Sequence, residues 1–296
     1  MDNDTKHVLT ILGFVACFGA GYFVYGAENK DTVKTGEKFS IFSKIENILD
    51  GKKKVNFEDE NKAVENAVNG YYQTNDEYFE YSANLTENTD NKDSSYEYLN
   101  SYKINNNIVY INSNDFFLDG IQGFTHFFRD NPAPETDGYI IDLRENIGGM
   151  TDYCMGVLGN FIEPQTIGEY HYYNGDREDV KVSGTKKTNG EKVVILVNGN
   201  TKSASEIFTA TMKQFYDGEV IIIGSETYGK GSFQKMVNIS ADEILKYTAG
   251  YYTVGNWQCY DGVGIAPDIE VAMDYNPDII CTDDDIQLQT AFDLFK

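Results

Sequence analysis

Lys230 lies between two glycines in a turn that follows an apolar run, Val220 to Ile223. A lysine that is removed from water has a lowered pKa, and its neutral amine could accept a proton from a serine hydroxyl. Gln234, four residues further on, could accept a hydrogen bond from that amine and orient it. Because only three histidines occur in 296 residues, proton transfer by a serine–lysine dyad is favoured over imidazole chemistry.

Ser203 also follows a buried apolar run and precedes a helical pattern. Its first interpretation is structural, since Ser203 and Glu206 form the S-x-x-E pattern of a capping box. The functional interpretation places a serine nucleophile at the positive end of a helix, where the Ala204 N–H could bind a developing oxyanion. Taken alone, this turn favours the cap.

A third turn, Asp142 to Gly149, ends in two adjacent glycines before another helical pattern. Glycines there free the backbone to present N–H groups, as an oxyanion hole requires. The alternative is a tight strand-to-helix turn with Asp142 and Arg144 as an internal ion pair. Both interpretations stay open.

Other chemistries fit less well. Gly224 to Ser232 approaches the phosphate-binding pattern G-x-x-x-x-G-K-[ST], but Gly231 occupies the position of the magnesium-binding hydroxyl. Four cysteines without a C-x-x-C pair indicate neither a zinc site nor a disulfide framework. The stretch from Asp90 to Asn100 lacks the glycine of an EF-hand loop. We expect no metal, no cofactor and no nucleotide, and no G-x-S-x-G elbow of common hydrolases occurs.

The elements that position these turns alternate between apolar strands and helices, which predicts an α/β sheet covered on both faces. The predicted strands are Ile108–Ile111, Gly138–Leu143, Val193–Val197 and Val220–Ile223, and the predicted helices are Phe116–Arg129, Thr151–Phe161 and Ser203–Phe215.

Four stretches in order resemble the carboxyl-terminal processing (tail-specific) serine protease family: YIIDLRENIGG, VVILVNGNTKSASEIF, IIIGSETYGKGSFQ and DGVGIAPDIEV. The similarity extends from Asn107 into a closing helix at Asp285 to Ala291. It implies that Ser203, rather than Ser205, is the nucleophile, that Lys230 is the general base and that Gln234 orients the lysine. The backbone N–H groups of Gly149 and Ala204 would form the oxyanion hole.

The resemblance also implies a ClpP/crotonase-like core over residues 105–296 and a small helical N-terminal segment over 57–104, centred on Ala63 to Ala83. Its expected substrates are proteins or peptides, in unfolded or C-terminal segments. In this chain Glu145 and Ile147 replace the residues most often seen in the glycine turn, and about two extra residues fall between Gln214 and Glu219. No room is left for the PDZ domain usual in the family.

Val8 to Ala27 carries no charge over twenty residues, enough for a helix of about 30 Å that could span a bilayer. We therefore predict a short tail (1–7), a membrane anchor (8–27) and a stalk (28–56). Lysines after the anchor slightly favour a cytoplasmic body by the positive-inside rule. The resemblance implies an extracytoplasmic catalytic domain at the cell membrane, and we expect that orientation.

The net charge of −23 argues against binding of nucleic acid through its phosphates. The same field favours protonated lysine, so desolvation of Lys230 must outweigh it. A second hypothesis is a catalytically silent peptide- or ligand-binding protein on the same fold. The joint presence of Ser203, Lys230 and Gln234 favours the serine endopeptidase.

Overall fold

The computed structural model describes residues 65–83, 102–238, 243–258 and 262–296, except positions 67, 71 and 106. The predicted anchor and stalk lie outside these ranges. Within them, no helix combines the length and the apolarity needed to cross a membrane. The chain divides into two compact units, and the larger one comprises Glu87–Val237 and Lys246–Lys296.

The described part of the smaller unit is helical at residues 65, 66, 68–70 and 72 and then forms a strand at Glu80–Ala83. The Asp76 N–H donates to the Tyr72 carbonyl over 3.1 Å in the turn that ends the helix. The Tyr72 and Phe79 rings stack at 4.6 Å. A helix continuing to Ala83 is therefore wrong, because this turn redirects the chain into a strand.

The strands are β1 Glu80–Ala83, β2 Tyr102–Asn105, β3 Ile108–Asn112, β4 Gly138–Asp142, β5 Thr166–Tyr172, β6 Arg177–Lys181, β7 Lys192–Val197, β8 Val220–Gly224, β9 Ser232–Asn238, β10 Glu243–Val254, β11 Trp257–Gln258 and β12 Ile269–Glu270. The helices are α1 Gln122–Asp130, α2 Thr151–Leu158, α3 Ala204–Phe215 and α4 Ile286–Asp293.

A sheet with the strand order β12-β8-β7-β4-β3-β2 forms the core of the larger unit. All its pairs are parallel except β2 with β3. The register places Ile141 beside Ile195 and Ile195 beside Ile222, so branched apolar side chains form continuous buried rows. Residues on both faces of this sheet belong to buried apolar clusters, which confirms the predicted α/β class with a parallel sheet.

Helix α4 closes one face of the parallel sheet and is capped by Asp285, whose carboxylate accepts the Leu288 N–H. Asp285 also forms a salt bridge with the buried guanidinium of Arg144, which forms a second salt bridge with Asp142. Burial alone would lower the pKa of Arg144, but the two carboxylates raise it above its ordinary value. The predicted Asp142–Arg144 pair therefore exists, and it anchors the end of β4 to α4.

Helix α1 begins at Gln122, six residues later than its apolar spacing predicts. Phe116 instead pairs with Gly149 in an isolated parallel bridge. The Phe117 N–H then donates to the Asp115 carboxylate over 2.9 Å. Hydrogen bonds to the glycine turn thus hold Phe116 in extended backbone and delay the helix.

A second sheet, which the sequence does not predict, contains β5, β6, β9, β10 and β11. Strand β10 pairs antiparallel with β5 from Gly250 beside Tyr172 to Val254 beside Gly168. Most residues of β5 are half-buried, so the strand lacks both the apolar run and the clear alternation that mark strands in a sequence. This sheet supplies Thr248 and Tyr252 to the candidate site.

Candidate active site

Ser203 occupies the N-cap of α3 in a rare backbone conformation, with φ 59° and ψ −120°. Such a conformation costs a residue with a side chain on the order of 1–3 kcal/mol and persists only where the surroundings enforce it. Its N–H donates to the Glu206 carboxylate over 2.9 Å. The expected capping interaction with Glu206 is therefore present, and Ser203 remains half-buried beside the glycine turn.

Lys230 lies in the turn between β8 and β9 and is half-buried. Its Nζ donates to Gln234 Oε1 over 2.9 Å, the contact that the sequence predicts. Gln234 Nε2 in turn lies 3.4 Å from Thr248 Oγ1 on β10. Thr248 was not predicted, because nothing in the local sequence connects β10 with this turn.

Glu206 joins the serine turn to the lysine turn. Its Oε2 accepts the N–H groups of both Ser203 and Lys230, each over 2.9 Å. Its Oε1 accepts the Gly229 N–H over 2.7 Å and the Thr227 hydroxyl over 2.6 Å. The carboxylate is completely buried, and these four uncharged donors compensate its desolvation. The sequence indicated Glu206 only as a capping residue.

Tyr252 links the same two turns from the second sheet. Its hydroxyl lies 2.7 Å from the Lys230 carbonyl oxygen and 3.2 Å from the Ser203 carbonyl oxygen. The side chain is almost fully buried. Together with Glu206, it shows that the backbones of Ser203 and Lys230 lie side by side although 27 positions separate them in sequence.

The glycine turn packs directly on the serine turn. A Cβ on Gly148, where φ is 89°, would lie 2.8 Å from Ser203 Cβ and 3.0 Å from the Ala204 nitrogen. A Cβ on Gly149 would lie 2.7 Å from the Phe116 carbonyl. Only glycine permits both approaches.

Hydrogen bonds align this turn. The Phe116 N–H donates to the Gly148 carbonyl over 2.7 Å, and the Met150 N–H donates to the Phe116 carbonyl over 2.9 Å. Within the described part of the chain, neither the Gly149 N–H nor the Ala204 N–H is engaged by a hydrogen bond. Two unengaged donors beside a serine are suited to bind an anionic oxygen.

Asn146 separates the roles of the two serines in the motif. Ser205 is completely buried, and its hydroxyl donates to Asn146 Oδ1 over 2.5 Å. The same oxygen accepts the Gly148 N–H over 3.0 Å. The Ser205 hydroxyl thus stabilises the glycine turn through Asn146, whereas Ser203 stays accessible.

The nucleotide interpretation of Gly224 to Ser232 does not fit the structure. The N–H groups of Gly229 and Lys230, which a phosphate loop would direct to its ligand, are bound by Glu206. The segment continues into strand β9 instead of a helix, so it lacks the helix that follows a phosphate-binding loop. Among the described residues, no group of three histidine, cysteine or acidic side chains could hold a metal ion.

The sequence model of peptidase family S41 matches residues 107–271 of this chain. The chain belongs to peptidase family S41. The matched range contains Ser203, Lys230 and the glycine turn, so the family resemblance seen in the sequence is confirmed.

Two curated relatives illustrate this membership. The S41 chain is similar to a probable CtpA-like serine protease of Staphylococcus epidermidis, 34% identical over 135 residues that form 45% of this chain and 27% of that protein. It is similar to a carboxyl-terminal-processing protease of Synechocystis sp., 28% identical over 191 residues that form 63% of this chain and 43% of that protein. The chain thus matches less than half the length of either relative.

Among solved structures, a lipoprotein from Streptococcus agalactiae covers 82% of the S41 chain and 83% of its own, with a TM-score of 0.53 and 16% identity. At this identity the likeness concerns the fold alone. The catalytic roles of Ser203, Lys230, Gln234, Gly149 and Ala204 are not tested by these comparisons and stay predictions.

Proposed function

We propose that this chain is a serine endopeptidase that hydrolyses peptide bonds with a Ser203–Lys230 dyad assisted by Gln234. The observation that carries the proposal is the hydrogen bond from Lys230 Nζ to Gln234 Oε1, in a turn that Glu206 ties to Ser203. Membership of peptidase family S41 supports the same chemistry.

In the proposed reaction, Ser203 Oγ attacks the scissile carbonyl carbon while its proton passes to the neutral amine of Lys230. The carbonyl π electrons move onto oxygen, and the N–H groups of Gly149 and Ala204 stabilise the resulting oxyanion. The tetrahedral intermediate collapses, and the leaving amine takes the proton from Lys230. Water, deprotonated by Lys230, then hydrolyses the acyl ester and restores Ser203.

The supporting network suits this sequence of steps. Lys230 must be neutral before attack, and its half-burial removes part of the solvent that would favour the ammonium form. Glu206 is satisfied by four uncharged donors, so it does not require the Lys230 ammonium as a counter-ion. Hydrogen bonds to Phe116 and Asn146 stabilise the glycine turn that carries the Gly149 N–H.

We further propose that the substrates are unfolded or C-terminal protein segments and that Val8–Ala27 anchors the enzyme in the cell membrane with an extracytoplasmic catalytic domain. The name of the Synechocystis relative, a carboxyl-terminal-processing protease, supports the substrate class. A reporter fused to the C-terminus tests the orientation, and reporter activity confined to the cytoplasm would contradict it.

The central test uses the full chain in detergent, with unstructured peptides that differ at the C-terminus. We expect cleavage by the wild type and none by Ser203→Ala or Lys230→Ala, because each change removes one half of the dyad. Ser183→Ala and Lys181→Ala are the matched controls, since both side chains are exposed around the end of β6, and both should retain cleavage.

A fluorophosphonate probe separates the protease from the silent binding protein. Labelling that requires both Ser203 and Lys230 supports the activated serine. Peptide cleavage that survives in Ser203→Ala would overturn the dyad, and a wild type that binds peptides without cleavage or labelling would favour the binding protein.

A further inference from the structure

Glu145 lies within the glycine turn with φ 60°, in the left-handed region that residues with a side chain seldom adopt. A strained backbone persists where neighbouring interactions enforce it. At Glu145, those interactions come from the loop that leads to Ser203.

The Glu145 carboxylate receives side-chain hydrogen bonds from two asparagines. Asn198 Nδ2 donates to Oε1 over 2.8 Å. Asn200 Nδ2 lies 3.0 Å from Oε1 and 2.9 Å from Oε2, spanning both oxygens. The Glu145 N–H completes the set by donating to Asn198 Oδ1 over 3.1 Å. We call these three residues the Glu145 bridge.

The donor and acceptor directions of the bridge are determined by the backbone. Asn198 Oδ1 accepts the N–H groups of both Glu145 and Asn200, each over 3.1 Å. Its amide nitrogen must therefore face the carboxylate. A carboxylate offers two acceptor oxygens to two converging amide donors, and hydrogen bonds to a charged group are stronger than neutral ones.

The bridge joins the two backbone segments whose spacing defines the oxyanion hole. Glu145 lies four residues before Gly149, and Asn198 begins the loop that leads from β7 to Ser203 and Ala204. On the buried side, Asn146 already connects the segments by accepting the Lys202 N–H over 3.0 Å. On the solvent side, the Glu145 bridge performs that function, with Glu145 half-buried and Asn200 exposed.

We propose that the Glu145 bridge is a positioning device that holds the Gly149 N–H against the Ser203 loop during peptide hydrolysis. This inference rests on the proposed function. Because the oxyanion forms only after attack, a looser turn weakens binding of the transition state more than binding of the peptide. Loss of the bridge should therefore lower kcat and leave KM nearly unchanged.

Reversing the polarity of one hydrogen bond tests the device. Asn200→Asp places a second carboxylate against Glu145 and should lower kcat about tenfold, with KM within about twofold, since misplacement by a fraction of an ångström is enough. Adding Glu145→Gln restores a donor–acceptor pair: the new amide donates to the new carboxylate and still accepts from Asn198. The double variant should recover kcat to within about threefold of the wild type.

Asn174→Asp is the matched control. Asn174 is exposed, and its Nδ2 donates to the Asp176 carboxylate over 2.8 Å in the turn between β5 and β6. The substitution therefore adds the same charge beside a carboxylate, away from the two segments, and should leave kcat unchanged. An effect that came only from the change in the protein's net charge would lower kcat in both single variants.

Hydrogen–deuterium exchange of the backbone amides of residues 145–150 measures how firmly the bridge holds the turn, and it does not require activity. We expect faster exchange in Asn200→Asp and wild-type exchange in the double variant. Wild-type kcat and exchange in Asn200→Asp, or a double variant no better than Asn200→Asp, would overturn the inference. A wild type that cleaves no peptide refutes the proposed function, while the exchange comparison still decides whether the bridge holds the turn.

Discussion

Replacing Glu206 by Gln is the most informative single change to the candidate site. Gln has nearly the same shape, but it offers one acceptor oxygen and one donating amide where the carboxylate offers two acceptors. We expect the amide oxygen to stay with the N–H groups of Ser203 and Lys230. The new NH2 group would then face Thr227 Oγ1, which can rotate its proton, and the Gly229 N–H, which cannot.

The cost can be worked from those contacts. One buried backbone donor at Gly229 loses its partner, which costs about 1–3 kcal/mol. The bonds to Ser203 and Lys230 change from charge-assisted to neutral, at about 0.5–1 kcal/mol each. The sum is roughly 2–5 kcal/mol, which for a chain of this size corresponds to a fall in Tm of about 5–15 °C.

Peptidase activity should fall as well, because the turns that carry Ser203 and Lys230 lose part of the Glu206 contact that holds them together. We expect kcat to drop about 10- to 100-fold at a temperature where the variant is folded. Tm from differential scanning calorimetry and kcat from peptide cleavage are the measurements. Glu226→Gln is the matched control, because Glu226 is an exposed carboxylate in the turn that carries Lys230. A Glu206→Gln variant whose Tm and kcat equal those of this control would refute the reasoning.

Two further predictions concern the glycine turn and the alkaline limit of stability. Gly148→Ala should abolish fluorophosphonate labelling of Ser203, because its Cβ would lie 2.8 Å from the Ser203 Cβ at a φ of 89°; labelling at the wild-type rate would contradict the packing. Burial raises the pKa of Tyr170 to about 12, above the ordinary value near 10. The folded state therefore keeps this phenol protonated while the unfolded state ionises, so stability present below about pH 10 should be lost as the pH rises to about 12. Denaturation midpoints from pH 8 to 12 measure this fall, and Tyr170→Phe should lessen it; an equally steep fall in that variant would exclude Tyr170 as its cause.

The predictable part of this fold consists of elements with local signals. Strands β4, β7 and β8 are apolar runs because both faces of the parallel sheet are covered. The contact between Gln234 and Lys230 was also predictable from the sequence, since the two residues lie only four positions apart. The family resemblance in the sequence predicts Ser203 as the nucleophile.

The unpredicted part depends on contacts between distant segments. Thr248 and Tyr252 reach the site from β10, whose place beside β5 no short window of sequence indicates. The late start of α1 is similar, since Phe116 has the apolar spacing of a helix but bonds to the glycine turn. In each case a tertiary hydrogen bond overrides the local pattern.

By itself, the sequence determined the residue types that could act and the turns that carry them: a serine at a helix start, a lysine between glycines and a pair of glycines after a strand. Tertiary structure decided how these turns meet. It buries Ser205 against Asn146 and leaves Ser203 accessible, and it makes one oxygen of Glu206 the acceptor for both Ser203 and Lys230. Hydrogen bonds act over about 3 Å, so which distant groups share one is decided only when the chain has folded.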